Sequence, residues 1–293
     1  MGRKKQQNIS PTTLLFSIIV VLFLGIVYKC RSSTPAQEPV QQTAVIDSTS
    51  HASSAAEPQA AITVRGNDSL LVQTVPDGVK SQLLQRAGYV TSYNAETRLP
   101  NYVAWNLTAD RTDGTAQRKG LKFEEDTDVP APRADNWDYY NSGYDRGHMC
   151  PAADNKWSQQ AMHDSFLYTN CCPQNGNLNR GDWNEMEVTC RTWARRYGSI
   201  YIVAGPILLN TKHATIGDHK VVVPEAFFKV VLCLEGTPKG IGFIYRNTNG
   251  DRPKDSYVNT IKDVERITGL TFFPSLDPRV AEKVKSQHKL SDW

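Results

Sequence analysis

The sequence has little net charge of either sign. Its 293 residues carry a formal charge of +3. Residues 1–62 hold five Lys or Arg against three Asp or Glu, which leaves 28 against 27 for the remainder. Proteins that only bind nucleic acid usually rest their affinity on a large basic face. The near-neutral balance therefore argues against such a module, and an anionic ligand must meet a local group of basic residues.

The sequence also lacks an internal repeat and, after residue 62, a long Pro/Gly/Ser-rich break. These absences argue against a repeat array and give no second domain boundary. The stretch from Ser32 to Ala61 has no aromatic residue, so it cannot bury enough apolar surface to order itself. We therefore expect a disordered linker over residues 29–62 and one domain over residues 63–293.

An apolar run without a charge, Thr12 to Tyr28, precedes this linker and follows Arg3, Lys4 and Lys5. Basic residues on that side favour a cytoplasmic N-terminus. We predict a cytoplasmic segment over residues 1–11 and an uncleaved transmembrane signal anchor over residues 12–28. The domain would then be exported to the periplasmic or extracellular side. A cleaved signal peptide is the alternative, but no small-residue cleavage site follows the run.

Five cysteines lie in the predicted domain: Cys150, Cys171, Cys172, Cys190 and Cys233. In an oxidising compartment they can form two disulfides and leave one thiol. The sequence does not determine the pairing. Our preferred arrangement joins Cys150 to Cys172 and Cys190 to Cys233, and the alternative is a set of buried small apolar side chains.

Both sheet and helix patterns occur in the domain. Strand-like runs rich in β-branched and aromatic residues cover Asn101 to Leu107, Ile200 to Leu209, Lys220 to Leu234 with a break at Pro224, and Gly240 to Tyr245. Helical spacing of apolar residues covers Trp183 to Tyr197 and Val258 to Ile267. The mixture predicts an α+β fold.

The densest polar motif is Asp145-Arg146-Gly147-His148. On a strand, Arg146 and His148 would share one face and could address one ligand together, while Asp145 orients or supports the segment. A neutral imidazole can take a proton from water, and a guanidinium can stabilise phosphate oxygens. The motif favours phosphodiester hydrolysis, with a surface salt bridge and a capped histidine as the alternative.

A second polar segment runs from Asn170 to Arg191 through an amide-rich loop into the helix. Asp182 is a suitable N-cap for that helix. Glu187 and Arg191 border its apolar stripe and could both reach into a cleft, whereas the alternative is an ordinary i, i+4 surface pair. Amides such as Asn179 suit Mg²⁺, which needs only one or two protein oxygens in addition to water and substrate phosphate. Without the nearby His148, an amide-rich loop of this kind would be interpreted simply as a series of turns.

Together the two segments resemble the DNA/RNA non-specific endonuclease family, the group of Serratia nuclease and endonuclease G, built on the ββα-metal (His-Me finger) core. The resemblance consists of the 145–148 motif, Asn170, Pro173-Gln174, Leu178-Asn179, Trp183 and Glu187 in the family's order. It extends over about residues 80–275. It implies a central antiparallel sheet flanked by helices, and an enzyme that cuts DNA and RNA with a divalent cation, Mg²⁺ or alternatively Mn²⁺.

The resemblance also implies a role for each matching residue. His148 would be the general base, Asn179 the metal ligand, and Glu187 the group that holds water on the metal. The predicted phosphate and substrate contacts are Arg146, Arg191, Arg118, Asn170 and Gln174, with Arg118 the best available match to an upstream arginine and the last two expected mainly to support the loop. The adjacent Cys171-Cys172 departs from the family pattern and puts any copied disulfide map in doubt.

The remaining histidines have no comparable motif. His51 lies in the linker, His288 in the polar C-terminal segment, and His213 and His219 in a polar loop. His163 lies within the segment Gln159 to Phe166 and could be on a helix near the site, although solvent exposure or a local hydrogen bond is the simpler interpretation. We predict that none of the five is catalytic.

Three functions remain open from the sequence. The first is an endonuclease with little sequence specificity, because the named groups all address phosphate or metal. The second is a membrane-tethered nucleic-acid binding module without cleavage, and the third is a phosphodiesterase of small nucleotides. The partners would be DNA and RNA, the membrane through the N-terminal helix and, as an arrangement the sequence allows, a second copy in a homodimer.

Overall fold

The computed structural model describes residues 66–293. The predicted cytoplasmic segment, the signal anchor and the whole of the linker lie outside the described residues. Within residues 66–293 no helix is long and apolar enough to cross a membrane.

A seven-stranded antiparallel sheet forms the centre of this part of the chain, in the order β1-β2-β3-β6-β9-β10-β11. The strands are β1 (Gln82–Gln85), β2 (Val90–Asn94), β3 (Leu99–Thr108), β4 (Asp145–His148), β5 (Cys171–Gln174), β6 (Ser199–Ile207), β7 (Thr215–Ile216), β8 (Val221–Val222), β9 (Ala226–Cys233), β10 (Lys239–Arg246) and β11 (Val258–Asn259). β4 pairs with β5, and β7 with β8, outside this sheet. The predicted central antiparallel sheet is confirmed.

Six α-helices accompany the strands in the described residues: α1 (Asn136–Tyr139), α2 (Gln159–Asp164), α3 (Gly176–Leu178), α4 (Asn184–Tyr197), α5 (Ile261–Thr268) and α6 (Pro278–Lys285). α4 packs on one face of the sheet, and α5 and α6 contribute to the core on the other. Both faces of the sheet are therefore covered, and all residues of β9 are buried. This burial explains why β9 appears in the sequence as an apolar run that only Lys229 interrupts.

Alternation along each strand divides the core into two layers. In β3, Trp105 belongs to the layer beneath α4, whereas its neighbour Ala104 belongs to the layer beneath α5 and α6. The same separation holds for Phe227 and Phe228 in β9. Successive side chains of a strand point to opposite faces, so one apolar run supplies both layers.

The four predicted strand runs correspond to β3, β6, β8 with β9, and β10, and the predicted break at Pro224 separates β8 from β9. The expected helix over Val258 to Ile267 begins only at Ile261, because the Thr260 side chain caps it and Val258 pairs with β10. The flanking strands β1 and β2 have no counterpart in the predicted runs.

Asp182 does not cap α4, so that prediction was wrong. The chain enters α4 from a wide π-helical turn, Asn179–Trp183, with a non-helical backbone at Gly181. Because the turn continues into the helix, no N-cap side chain is needed there. The Asp182 carboxylate instead accepts hydrogen bonds from the Tyr257 hydroxyl and from the backbone N–H of Arg252.

The predicted disulfides do not form. Cys150, Cys171, Cys172, Cys190 and Cys233 are all buried free thiols. All five belong to the core layer beneath α4, where they serve as small apolar side chains. The alternative interpretation of the cysteines is therefore the correct one.

These thiols should be chemically inert in the folded protein. Burial raises the pKa of all five above the ordinary value, which suppresses the reactive thiolate. In a Cys30→Ser variant we expect almost no reaction with a water-soluble thiol reagent until denaturant is added, and then five thiols. A mass deficit typical of a disulfide, measured on the non-reduced protein, would contradict this arrangement.

Candidate active site

The 145–148 motif lies on a two-stranded hairpin formed by β4 and β5. Asp145 is opposite Gln174, and His148 is opposite Cys171. A Cβ atom on Gly147 would lie 2.2 Å from the Gln174 side-chain oxygen, which is itself buried. Glycine is therefore required at this position so that Gln174 can pack under the strand.

A cavity of about 610 Å³ opens beside this hairpin. It is lined by Arg118, Asp145, Arg146, His148, Asn179, Glu187 and Arg191, together with Phe123, Tyr144, Pro151, Ala152, Ala153, Arg180 and Asn184. All of the predicted site residues except Asn170 and Gln174 thus meet at one cavity, although they span more than seventy positions of the sequence.

His148 is held between aromatic rings. Its imidazole lies 5.0 Å from the Phe123 ring and 5.3 Å from the Phe166 ring, measured between centroids. Its Nε2 is buried and has no hydrogen-bond partner among the described residues. Burial lowers the pKa of His148 to about 4, and the neighbouring Arg118 adds to this effect. The imidazole is therefore neutral at pH 7 and able to accept a proton.

Arg146 shares the Phe123 ring with His148, as expected for alternate residues of a strand. Its guanidinium carbon lies 5.8 Å from the centre of that ring and 5.4 Å from the centre of the Tyr139 ring. Its Nε donates to the Tyr168 hydroxyl at 3.0 Å, and Nη2 donates to the side-chain oxygen of Asn136 at 2.6 Å. These contacts hold the Arg146 guanidinium in place at the cavity before a ligand binds.

Asp145 connects the hairpin to the segment before α4. Its Oδ2 accepts hydrogen bonds from the Asn179 side-chain nitrogen at 3.0 Å and from Arg180 Nη1 at 2.5 Å. Since the amide nitrogen of Asn179 is used in this way, its oxygen is the end available for another ligand. Asp145 also lines the cavity, because it lies at the end of the strand, where alternation no longer directs it away.

A group of charged side chains lies on the α4 side of the cavity. Arg191 Nη1 donates to Asp154 Oδ1 at 2.8 Å, and Trp105 donates to the other oxygen of Asp154 at 3.1 Å. Burial raises the pKa of Glu187 to about 7, while Lys229 and Arg191 oppose that rise. Arg191 therefore enters the site already paired with a buried carboxylate.

Asn170 and Gln174 are buried and do not line the cavity. The Asn170 side chain accepts from the backbone N–H of Cys150 at 2.9 Å and donates to the backbone oxygens of Cys150 and Ser165, both at 2.9 Å. It therefore ties β5 to the segment that follows β4. Their placement as substrate-binding residues is corrected, because both side chains are enclosed beneath the hairpin and support it.

Three further residues of the site were not identified from the sequence. Phe123 contacts both His148 and Arg146, and Asp154 anchors Arg191. Lys229 is completely buried; its Nζ lies 4.1 Å from the centre of the Trp183 ring and has no hydrogen-bond partner among the described residues. A lysine in an otherwise apolar strand, within the stretch Val223 to Lys229, was the feature that could have indicated Lys229.

None of the other described histidines lines this cavity. His163 lies within 3.5 Å of Glu124, His213 contacts Glu225, and His219 contacts Asp138. Asp135, Asp138 and His219 have ligand atoms close enough for a metal ion. The two carboxylates, however, form the capping box of α1, and His219 bonds one of them. The spacing of these three groups is thus explained without a metal.

The cavity itself fits a hard divalent cation. Its donors on the hairpin and α4 sides are the Asn179 amide oxygen and the carboxylates of Asp145 and Glu187, and all of the buried thiols are absent from its lining. Oxygen ligands of this kind are those that Mg²⁺ prefers, and they do not form a site for a soft metal.

Phosphodiester hydrolysis needs a base for water, cations for the phosphate and oxygen ligands for a divalent metal. The hairpin and the α4 segment bring these groups to one cavity beside a central antiparallel sheet. The fold and the site are those of a metal-dependent nuclease. The chain belongs to the DNA/RNA non-specific endonuclease family, whose family model matches residues 67–279.

Individual relatives agree with this assignment. Nuclease EXOG, mitochondrial, of Xenopus laevis is 37% identical over 66% of this chain, which spans 58% of that protein. Endonuclease G, mitochondrial, of Homo sapiens is 36% identical over 67% of this chain and 71% of its own length. A chain in the crystal structure of the EndoG/EndoGI complex matches with a TM-score of 0.66 and 28% identity. The match covers 71% of this chain and 92% of that one.

The buried Lys229 should determine the pH range of activity. Glu187 has a pKa of about 7 and Lys229 lowers it, so the carboxylate loses its charge as the pH falls through that value. In Lys229→Met we expect the acid limb of the pH–rate profile to move to higher pH by roughly one unit. The profile is measured with plasmid DNA.

Lys239→Met is the matched control. Lys239 also lies over aromatic rings, at 3.7 Å from the centre of Tyr197, but it does not line the cavity. Its profile should match that of the unmodified protein. An unchanged acid limb in a folded Lys229→Met protein would remove Lys229 from the site.

Proposed function

We propose that this protein is an endonuclease that hydrolyses phosphodiester bonds of DNA and RNA with little sequence preference and with the help of Mg²⁺. The observation that carries the proposal is the position of His148, whose buried Nε2 has no hydrogen-bond partner among the described residues and lies at the wall of a cavity that Arg146 and Asn179 also line. An unpaired buried nitrogen costs free energy, and a role in proton transfer accounts for that cost.

In this proposal His148 takes a proton from the water that attacks phosphorus. Its low pKa keeps the accepting form populated at neutral pH. Arg146 and Arg191 contact the phosphate oxygens, and Arg118 contributes a third cation on the side of His148. The groups therefore surround a phosphodiester from several sides, and none of them reads a base edge.

Asn179 and Glu187 would hold the cation, Asn179 through its amide oxygen and Glu187 through water. When bound, the cation neutralises charge on the scissile phosphate and the leaving oxygen. Asp145 is a positioning residue in this scheme, since its bond to the Asn179 side-chain nitrogen orients the amide oxygen. Mn²⁺, which also takes oxygen ligands, would serve as a substitute.

We further propose that residues 12–28 anchor the protein in a membrane with the nuclease domain on the periplasmic or extracellular side. The support is the apolar run and the three basic residues before it. Formation of a homodimer stays a prediction of the same kind.

Replacement of the base should abolish most of the activity. For His148→Ala we expect cleavage of plasmid DNA and of RNA to fall by at least about 10², the usual minimum for loss of a general base. Initial rates at saturating Mg²⁺ provide the measurement. His163→Ala is the matched control, because His163 is 41% exposed and does not line the cavity. Cleavage at the unmodified rate by folded His148→Ala would refute the assignment.

Replacement of the metal ligand should change the response to the cation. We expect EDTA to stop cleavage, Mg²⁺ to restore it, and Asn179→Ala to need roughly tenfold more Mg²⁺ for half-maximal rate, similar to the loss of one ligand-orienting contact. Asn177→Ala, an exposed amide in the same helical segment, is the control. An identical Mg²⁺ titration for both variants and the unmodified protein would exclude Asn179 as a ligand.

A further inference from the structure

Two aromatic side chains are held in solvent near the active site. Trp137 is 73% exposed and Tyr140 is 62% exposed. They are the aromatic members of the strongly exposed large hydrophobic residues in the part of the chain that the structure describes. Large aromatic side chains usually bury most of their surface, so a pair exposed together indicates an interaction site.

The pair has a fixed shape. The two rings contact each other edge to face, with their centroids 5.9 Å apart. Trp137 lies in α1, and Tyr140 is the residue that directly follows this helix. The start of α1 is held by a reciprocal capping box: the Asp135 carboxylate accepts from the backbone N–H groups of Trp137 and Asp138, and Asp138 accepts from that of Asp135. Little conformational entropy is therefore left to lose in this helix when a planar ligand binds.

The pair is joined directly to the catalytic cavity. The residue before Trp137 is Asn136, and both its backbone oxygen and its side-chain oxygen accept hydrogen bonds from Arg146, at 3.2 and 2.6 Å. Arg146 lines the cavity and is a proposed phosphate contact. A strand with one phosphate at Arg146 would therefore have its neighbouring nucleotides within reach of α1.

The acidic residues of α1 do not face such a strand. Asp138 is buried, and it accepts from His219 through both the backbone N–H and Nδ1 at 3.0 Å. Asp135 is occupied by the backbone of the helix. The exposed surface at α1 and the residue after it therefore presents the rings of Trp137 and Tyr140 rather than carboxylates to a polyanion.

We propose that Trp137 and Tyr140 form a stacking platform for unpaired bases of the DNA or RNA strand held in the cavity. The inference rests on the proposed nuclease function and adds a second contact to it. Every base has a π-face, so stacking adds affinity without sequence preference. Bases inside a duplex already stack on each other, so the platform favours single strands, loops and frayed ends over intact duplex.

The test compares two substrates with the same backbone. One is an oligothymidylate and the other is an abasic tetrahydrofuran oligomer of equal length, which has phosphodiesters but no bases. We expect Trp137→Ala to lower kcat/KM for the oligothymidylate about tenfold, mainly through KM, as for the loss of one base–aromatic stack. On the abasic oligomer the variant should match the unmodified protein.

Two matched variants complete the set. Trp137→Phe keeps a ring and should recover most of the activity on the oligothymidylate. Leu209→Ala removes an apolar side chain of comparable exposure, 58%, that does not line the cavity, and it should have no effect on either substrate. Trp137→Ala should also reduce the ratio of single-strand to duplex cleavage.

Several outcomes would overturn the proposal. An equal loss on both oligomers would mean that Trp137 acts through Arg146 or the fold, and no loss on either would exclude stacking while leaving the nuclease assignment intact. A change in sedimentation mass without a difference between substrates would assign the pair to an interface with a second copy. If the pair instead binds a different protein, Trp137→Ala should leave the cleavage rates of both oligomers unchanged.

A binding measurement separates this proposal from the nuclease assignment. In EDTA, oligothymidylate should quench the tryptophan fluorescence of the protein, and Trp137→Phe should lose most of that quenching. If the unmodified protein cleaved no polynucleotide, the nuclease proposal would fail, and the quenching would still test the platform. Equal quenching of the two proteins would refute the platform whether or not cleavage occurs.

Discussion

The active site depends on the position of one buried indole, that of Trp183. Its Nε1 donates to the backbone oxygen of His148 at 3.2 Å, and its ring covers Lys229 of β9 and packs against Phe227. Trp183 also ends the π-helical turn that begins at Asn179, directly before α4. One side chain thus links the hairpin that carries His148, the segment that begins at Asn179 and the sheet that carries Lys229.

The charges around this indole explain how the site remains both buried and reactive. The α4 side contains two carboxylates, Glu187 and Asp154, and two cations, Arg191 and Lys229, so the group is balanced. Burying any one of these charges without the others would be costly. On the hairpin side, burial and Arg118 instead keep His148 neutral. Burial therefore keeps the His148 imidazole neutral and makes the Glu187 carboxylate titrate near neutrality.

The sequence was informative where function needs specific residues next to each other. The motif containing His148 and the segment containing Asn179 predicted the two halves of the cavity, and alternation within apolar runs predicted the central strands. Contacts distant in sequence were not predictable in this way. Asp154 and Lys229 act on the site through contacts with Arg191 and Trp183, which lie elsewhere in the sequence. The prediction of disulfides was wrong because all five cysteines are buried free thiols in the core. The prediction that Asp182 caps α4 was wrong because a π-helical turn precedes this helix, and the periodicity of apolar residues does not reveal such a turn.

The helix α1 shows how the fold separates chemistry from substrate selection. Tyr139 is buried, stacks on Tyr168 at 5.2 Å and supports Arg146 from below. Trp137, on the same short helix, and Tyr140, directly after it, are exposed to solvent. A residue that contacts Arg146 is constrained by the proposed phosphate contact, which is common to all nucleic acids, whereas an exposed residue such as Trp137 is free of that constraint. Changes at such an exposed residue can therefore alter the preference between single strands and duplex without disturbing His148 or the charges beneath it.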